Sequence, residues 1–237
     1  MNWSSTVEDR CNGIPIQTLE SPQRAGGRCF RTVAGRCALN LSQLPLALTR
    51  PAILRALQTA GCVELDLDPV SVARSRIGQS RYTRGARLAQ APEVVDCSSF
   101  TKWVYAQCGI WLPRRSIQQR LVGYAVSMTT LRPGDLVFTN GARNYSLAGL
   151  PRPVGHVGIA TECATVVHAA AARLGVQETG LSAFTRSGRI FSGAVRIIPE
   201  GADLLVLSTP SEWEVEGEDD LHWILARLTG AEVELVI

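Results

Sequence analysis

Two short stretches of alternating sequence each carry a histidine, and their spacing restricts how this chain can fold. Val154-Gly155-His156-Val157-Gly158-Ile159 and Val166-Val167-His168 place the histidines twelve positions apart, centred on Glu162. If residues 161–163 form a short turn, the two stretches pair as an antiparallel hairpin. The side-chain period of two then sets both imidazoles on one face, directly opposite each other and within hydrogen-bonding reach. Gly158, Ala160, Ala164 and Val166 share that face and are small enough to leave room for a substrate. Val157, Ile159 and Val167 point the other way, into a core.

Upstream the rhythm is helical. Residues 96–107 carry Phe100, Trp103 and Val104 at spacings of three and four, and Gly109 ends the pattern. Cys97 opens this helix, directly after Asp96, where unpaired backbone N–H groups and the helix dipole favour a thiolate and lower its pKa. Further helices are expected over 46–60, with Pro51 in the first turn and Gly61 as the stop, and over 70–77, ending at Gly78. Strands are expected over 135–139, 154–161, 165–170 and 195–198. Helices first and antiparallel strands afterwards give an α+β fold class. A thiol at a helix start, one histidine as its base and a second to orient that base form a set suited to nucleophilic attack on an amide.

Composition narrows the alternatives. Of 237 residues 46% are hydrophobic and 19% charged, the usage of a globular protein. No apolar run approaches the roughly 18 residues of a membrane span. The first ten residues lack the pattern of a secretory signal, so a cytoplasmic location is expected for the chain as written, or export by a non-standard route. Seven cysteines without a C-x-x-C pair suggest buried free thiols, with no metal site and no cofactor. Ten acidic residues against Arg227 alone fall within 200–237, which leaves a basic body whose arginines far outnumber its single lysine, Lys102. No nucleic-acid-binding motif accompanies that charge, so a nucleic acid partner is not expected. Ser99-Phe100-Thr101-Lys102 has the S-x-x-K form of serine acylases, but with no second lysine the companion K-T-G motif is impossible. Residues 1–45 show no clear periodicity, and Ala25-Gly26-Gly27 reads as loop.

The ordered motifs resemble the NlpC family of cell-wall cysteine peptidases, over roughly residues 70–200. They are Tyr82-Thr83-Arg84-Gly85, Asp96-Cys97-Ser98-Ser99-Phe100, Gly109-Ile110-Trp111-Leu112-Pro113-Arg114 with Gln118-Gln119, Arg132-Pro133-Gly134-Asp135-Leu136-Val137-Phe138, His156-Val157-Gly158-Ile159 and Val167-His168-Ala169. Ser99 stands where the family usually has glycine, and the stretch between Tyr82 and Cys97 is a few residues longer than the family's. The resemblance implies a papain-like fold, a nucleophile helix packed on an antiparallel sheet, with Cys97 attacking an amide carbonyl, His156 as base and His168 fixing the imidazole. It implies a peptide substrate derived from the cell wall, cut between γ-D-glutamate and the diamino acid, with Tyr82 as an oxyanion donor. The candidate substrate-contacting residues are Tyr82, Asp96, Ser98 and Arg114; for Arg114 a solvated loop position is the competing reading.

The expected organisation is an N-terminal extension of unknown fold over 1–65, the catalytic domain over 66–200, and an acidic C-terminal tail with a short helix over 201–237. The tail is either a packing helix behind a solvated linker or a segment docked on the basic body. The alternatives to a wall peptidase are an inactive binding module on the same fold, or an amidase delivered by a phage or toxin route or serving recycling.

Overall fold

The computed structural model describes residues 35–186 and 188–231. Ala25-Gly26-Gly27, Cys11 and Cys29 lie outside the described residues. The chain runs through β1 (Arg36–Asn40), α1 (Arg50–Thr59), β2 (Val63–Glu64), α2 (Pro69–Arg74), β3 (Arg81–Tyr82), β4 (Val94–Val95), α3 (Cys97–Gln107) and the single turn α4 (Ser116–Gln119). It continues with β5 (Tyr124–Val126), β6 (Leu136–Thr139), β7 (His156–Ala160), β8 (Thr165–Ala171), β9 (Gly175–Gly180), α5 (Leu181–Arg186), β10 (Phe191–Arg196), β11 (Leu204–Ser208) and α6 (Glu218–Thr229).

Six strands form one antiparallel sheet in the order β5-β10-β6-β7-β8-β9. Helix α3, which Cys97 opens, packs on β7 and β8, the α+β arrangement of a helix on an antiparallel sheet expected from the sequence. Phe100, Val104 and Tyr105 of α3 are fully buried against Phe138, Val157, Ile159 and Val167. Each such side chain contributes about 1.5–3 kcal/mol of burial. The Pro133-Gly134-Asp135 turn is built into this core. The Asp135 carboxylate accepts the Arg132 N–H at 2.8 Å and two bonds from Arg196, at 2.9 and 3.0 Å, tying β6 to β10.

A second, three-stranded sheet has the order β1-β11-β2, with β1 and β11 paired antiparallel from Arg36↔Ser208 to Asn40↔Leu204. β1 falls inside the segment whose fold the sequence leaves unread. β11 falls inside the stretch expected as an acidic tail, which therefore holds a core strand as well as a helix. Ala38 and Val206 face the core of the larger sheet, whereas Leu39, Leu205 and Leu207 face Ile53, Leu57, Leu221 and Leu225 of α1 and α6. A strand covered on both faces reads as a plain apolar run, Leu204-Leu205-Val206-Leu207, with no alternation to reveal it. The two layers meet where α3 ends: Gly109 has φ +71°, and a Cβ there would lie 2.4 Å from the backbone of Cys37 and Ala38.

Leu221 and Leu225 bury α6 in the second core, so this helix packs. Glu218, at its start, is 3% exposed, and its carboxylate accepts the Asn40 N–H of β1. Burial pushes its pKa up to about 7, and His222, 3.9 Å away, has its own pKa lowered by burial. Folding thus strengthens proton binding at Glu218. Its contribution to stability is complete below about pH 4.5 and declines as pH rises through about 7. In urea unfolding at pH 5 and pH 8, Glu218→Gln should lose less stability between the two pH values than the parent protein; equal losses would mean that this carboxyl does not titrate with folding.

Candidate active site

The site begins with the turn into α3. Asp96 is the N-cap: its carboxylate accepts the Ser99 N–H at 2.7 Å, while the Ser99 hydroxyl accepts the Asp96 N–H at 2.8 Å. This closes a capping box that a glycine at position 99 could not make. Arg114 grips the same carboxylate through both nitrogens, at 3.0 and 2.6 Å, and also donates to the Ser98 hydroxyl and the Ala86 carbonyl. The buried Gln119 amide donates to the carbonyls of Ser98 and Pro113, both at 2.9 Å, and accepts from Thr101 at 2.8 Å. The first turn of the helix is therefore held from three directions.

Asp96, Ser98 and Arg114 come together in one network. Tyr82 stands apart from that network on β3, half-buried, its phenol held up in pKa by burial and by the Cys97 charge.

Cys97, His156 and His168 are 8%, 5% and 3% exposed. His156 Nε2 and His168 Nδ1 are 2.9 Å apart, and His168 Nε2 lies 3.0 Å from the Thr179 hydroxyl on β9. Gln177 donates to that hydroxyl at 3.1 Å. The Cys97 sulfur lies against the backbone N–H groups of Ser98 and of Val157, the residue after His156.

The hairpin differs in detail from its expected form. The register pairs Ile159 with Val167 and Ala160 with Val166, and the Thr161 N–H closes the turn on the Thr165 carbonyl at 3.0 Å. The turn therefore spans 162–164, with Ala164 at φ +53°. The pairing is centred on Cys163 rather than Glu162, and the histidines sit diagonally instead of directly opposite. A shift of two residues preserves the face, so the rings still meet. The residue opposite His168 is Gly158, where a Cβ would lie 3.0 Å from the His168 Cβ and 2.4 Å from a Val166 methyl. The small face is also not open to substrate. Phe184 of α5 fills it, with its ring centroid 5.5 Å from that of His156 and 4.8 Å from that of His168.

Burial governs the electrostatics. It pushes the Cys97 thiol up to about 11, with the Asp96 charge adding to the effect and the two backbone N–H groups and Arg114 opposing it. The lowered thiol pKa expected at a helix start is overridden, because desolvation outweighs the helix terminus. Burial, then the Arg189 guanidinium, pushes His156 well below the ordinary histidine range and His168 down to about 3. At neutral pH the resting site is an uncharged thiol beside uncharged imidazoles.

Residues 79–188 match the NlpC/P60 family. This segment is an NlpC/P60 domain. It is 36% identical over 81 residues to a probable endopeptidase p60 of Listeria innocua, covering 34% of this chain and 16% of that protein. It is 36% identical over 95 residues to the peptidoglycan DL-endopeptidase CwlO of Bacillus licheniformis, covering 38% of this chain and 19% of that one. The chain thus spans under a fifth of the length of these curated relatives. The NlpC/P60 domain of the peptidoglycan hydrolase SagA aligns at 28% identity with a TM-score of 0.43, over 54% of this chain and 95% of that one.

Around Cys97, His156 and His168 stand residues that the sequence does not single out: Thr179, Gln177, Phe184 and Arg189. Thr179 sits on a strand with weak apolar alternation, and Phe184 on a six-residue helix, so neither has a periodic pattern to mark it. Because the resting thiol is uncharged, alkylation of Cys97 by iodoacetamide should keep accelerating as pH rises from 7 toward about 11. A rate that levels off below pH 7 would instead indicate a preformed thiolate and imidazolium.

Proposed function

We propose that this chain is a thiol-dependent amide hydrolase of peptidoglycan stem peptides, in which Cys97 is the nucleophile, His156 the base and His168 the residue that orients it. The observation that carries this reading is the chain of contacts from Thr179 through His168 to His156, whose neighbour Val157 turns its backbone N–H to the Cys97 sulfur. If the Thr179 hydroxyl accepts from His168 Nε2–H, His168 Nδ1 accepts from His156 Nε2–H. His156 Nδ1 then carries a free lone pair, the form needed to take the thiol proton.

In the first step the Cys97 proton passes to His156 as sulfur bonds to the substrate carbonyl carbon. The C–N bond then breaks, the proton goes to the departing amine, and a thioester remains. Water, giving its proton to His156, attacks the thioester, releases the carboxylic acid and restores the thiol. Backbone N–H groups at the start of α3, with the Tyr82 hydroxyl, are the proposed donors to the oxyanion. Among the described residues no cluster of His, Cys, Asp and Glu could hold a metal ion, and every group this chemistry uses is a side chain or backbone amide of the chain itself. Asp96, Ser98 and Arg114 shape the substrate-facing wall by fixing the loop that precedes α3.

The relatives' names support a wall-peptide substrate: p60 and CwlO are endopeptidases, and CwlO is named for DL bonds in peptidoglycan. A second reading, a binding module on the same fold, draws on the buried, uncharged thiol. The two separate in one experiment, cleavage of L-Ala-γ-D-Glu-diaminopimelate followed by mass spectrometry. Cys97→Ala should abolish cleavage while leaving the thermal unfolding midpoint close to that of the parent; binding of the peptide by the parent without cleavage would establish the module instead. Thr179→Val should lower kcat about tenfold with little change in KM, the scale of one lost hydrogen bond. An unchanged kcat would remove Thr179 from the chain of contacts.

A further inference from the structure

Helix α6 buries one face and leaves the other bare. Leu221 and Leu225 face the second core, whereas Trp223 is 55% and Leu228 46% exposed. Beside them Trp213, Glu214, Ile224, Arg227 and Leu228 line an open groove of about 440 Å³. Asp220, Trp223, Ile224, Arg227 and Leu228 recur at spacings of three and four, so they form one stripe along the helix. An exposed tryptophan among apolar neighbours, with charges at both ends of the stripe, is the composition of an interface centre and its rim.

The charges indicate what covers this stripe. Glu218, Asp219 and Asp220 occupy the first turn of α6, and Arg227 the last. Asp220 and Arg227 lie two turns apart on the same face, about 10 Å along the axis and out of each other's reach. Arg227 enters no ion pair among the described residues, although Glu214 lines the same groove. The Asp220 carboxylate accepts the N–H groups of Glu216 and Gly217 through one oxygen, at 2.7 and 3.0 Å, and its other oxygen takes no hydrogen bond among the described residues. A second α6 laid antiparallel against the first, about a two-fold axis beside Trp223 and Ile224, sets Arg227 of each copy opposite Asp220 of the other. The apolar residues of both copies then meet in the middle. A parallel arrangement would instead set like charge against like.

We propose that the exposed face of α6 is a self-complementary interface, on which a second copy of this chain docks antiparallel, with Trp223 at the centre and an Arg227–Asp220 ion pair at each end. One helix face from each copy is smaller than the roughly 800 Å² per partner of a standard interface, so the dimer is weak, with a Kd on the order of 10–100 µM. The interface borrows no residue of the candidate active site: α6 packs on the three-stranded sheet, whereas His156 and His168 stand on the six-stranded one and Cys97 opens α3. The inference therefore stands independently of the hydrolase reading.

Sedimentation equilibrium of the full chain over about 5–500 µM tests it. The parent should pass reversibly from monomer to dimer. Trp223→Ser should weaken dimerisation at least about tenfold, the effect of truncating a central tryptophan, while unfolding at the parent's temperature when both are dilute. Asp220→Asn keeps an acceptor for the Glu216 and Gly217 N–H groups. It and Arg227→Gln should each weaken the dimer about fivefold at low salt, the scale of two exposed ion pairs, and the double variant should lose no more than either alone. A parent that stays monomeric throughout, a dimer that survives Trp223→Ser, or losses that simply multiply in the double variant would overturn the interface. So would a monomeric parent that dimerises once residues 232–237 are removed, because those residues would then be the occupant of the α6 face.

Discussion

The Asp96 carboxylate is the constraint from which the rest of the site follows. It caps α3 through the Ser99 N–H, accepts two bonds from Arg114 and takes the Gly85 N–H at 3.2 Å. Those partners come from the helix itself, from the loop after it and from the loop before it, so one buried anion fixes where the helix starts. The position of Cys97, the first residue of that helix, is set with it. The arrangement has an electrostatic cost, because the same anion raises the pKa of the adjacent thiol. Arg114 neutralises Asp96 and limits that effect. Removing either partner would leave a charge stranded beside the sulfur.

The site is consequently preorganised in geometry and uncharged at rest. In water a thiol and an imidazole exchange a proton at modest cost, but at 8% and 5% exposure the charged pair lacks solvation. In the proposed reaction, charge separation is then deferred until a substrate brings its own carbonyl to share the developing negative charge. The Phe184 ring packs against both imidazoles, whose planes stand at 86° to each other around their 2.9 Å contact.

Much of this was legible in the sequence, for reasons of range. The α3 start, the two histidine strands and their shared face follow from local periodicity and capping chemistry, which a short window records. The register slipped by two residues because the turn spans 162–164 and uses Ala164 at positive φ, a conformation that alanine does not advertise. The small side chains on the histidine face predict free space, but α5, only six residues long, returns Phe184 into it. Arg189 and Thr179 become visible only once β9, α5 and β10 are folded back against the sheet. The pairing of β1 with β11 is the most distant strand pairing among the described residues, and nothing near either strand announces its partner.

That last contact gives the chain an order of assembly. The six-stranded sheet is built from residues 124–196, each strand finding its neighbours within that stretch, whereas β1 must wait for β11, made about 170 residues later. On a ribosome, residues 36–64 therefore emerge early and stay unpaired while the six-stranded layer forms. During that interval the back of α3, where Gly109 later receives the β1 backbone, offers an uncovered apolar seam to chaperones or to neighbouring chains. The closing of β11 against β1 ends that exposure, and the burial of Glu218 beside Asn40 locks the last helix over the finished seam.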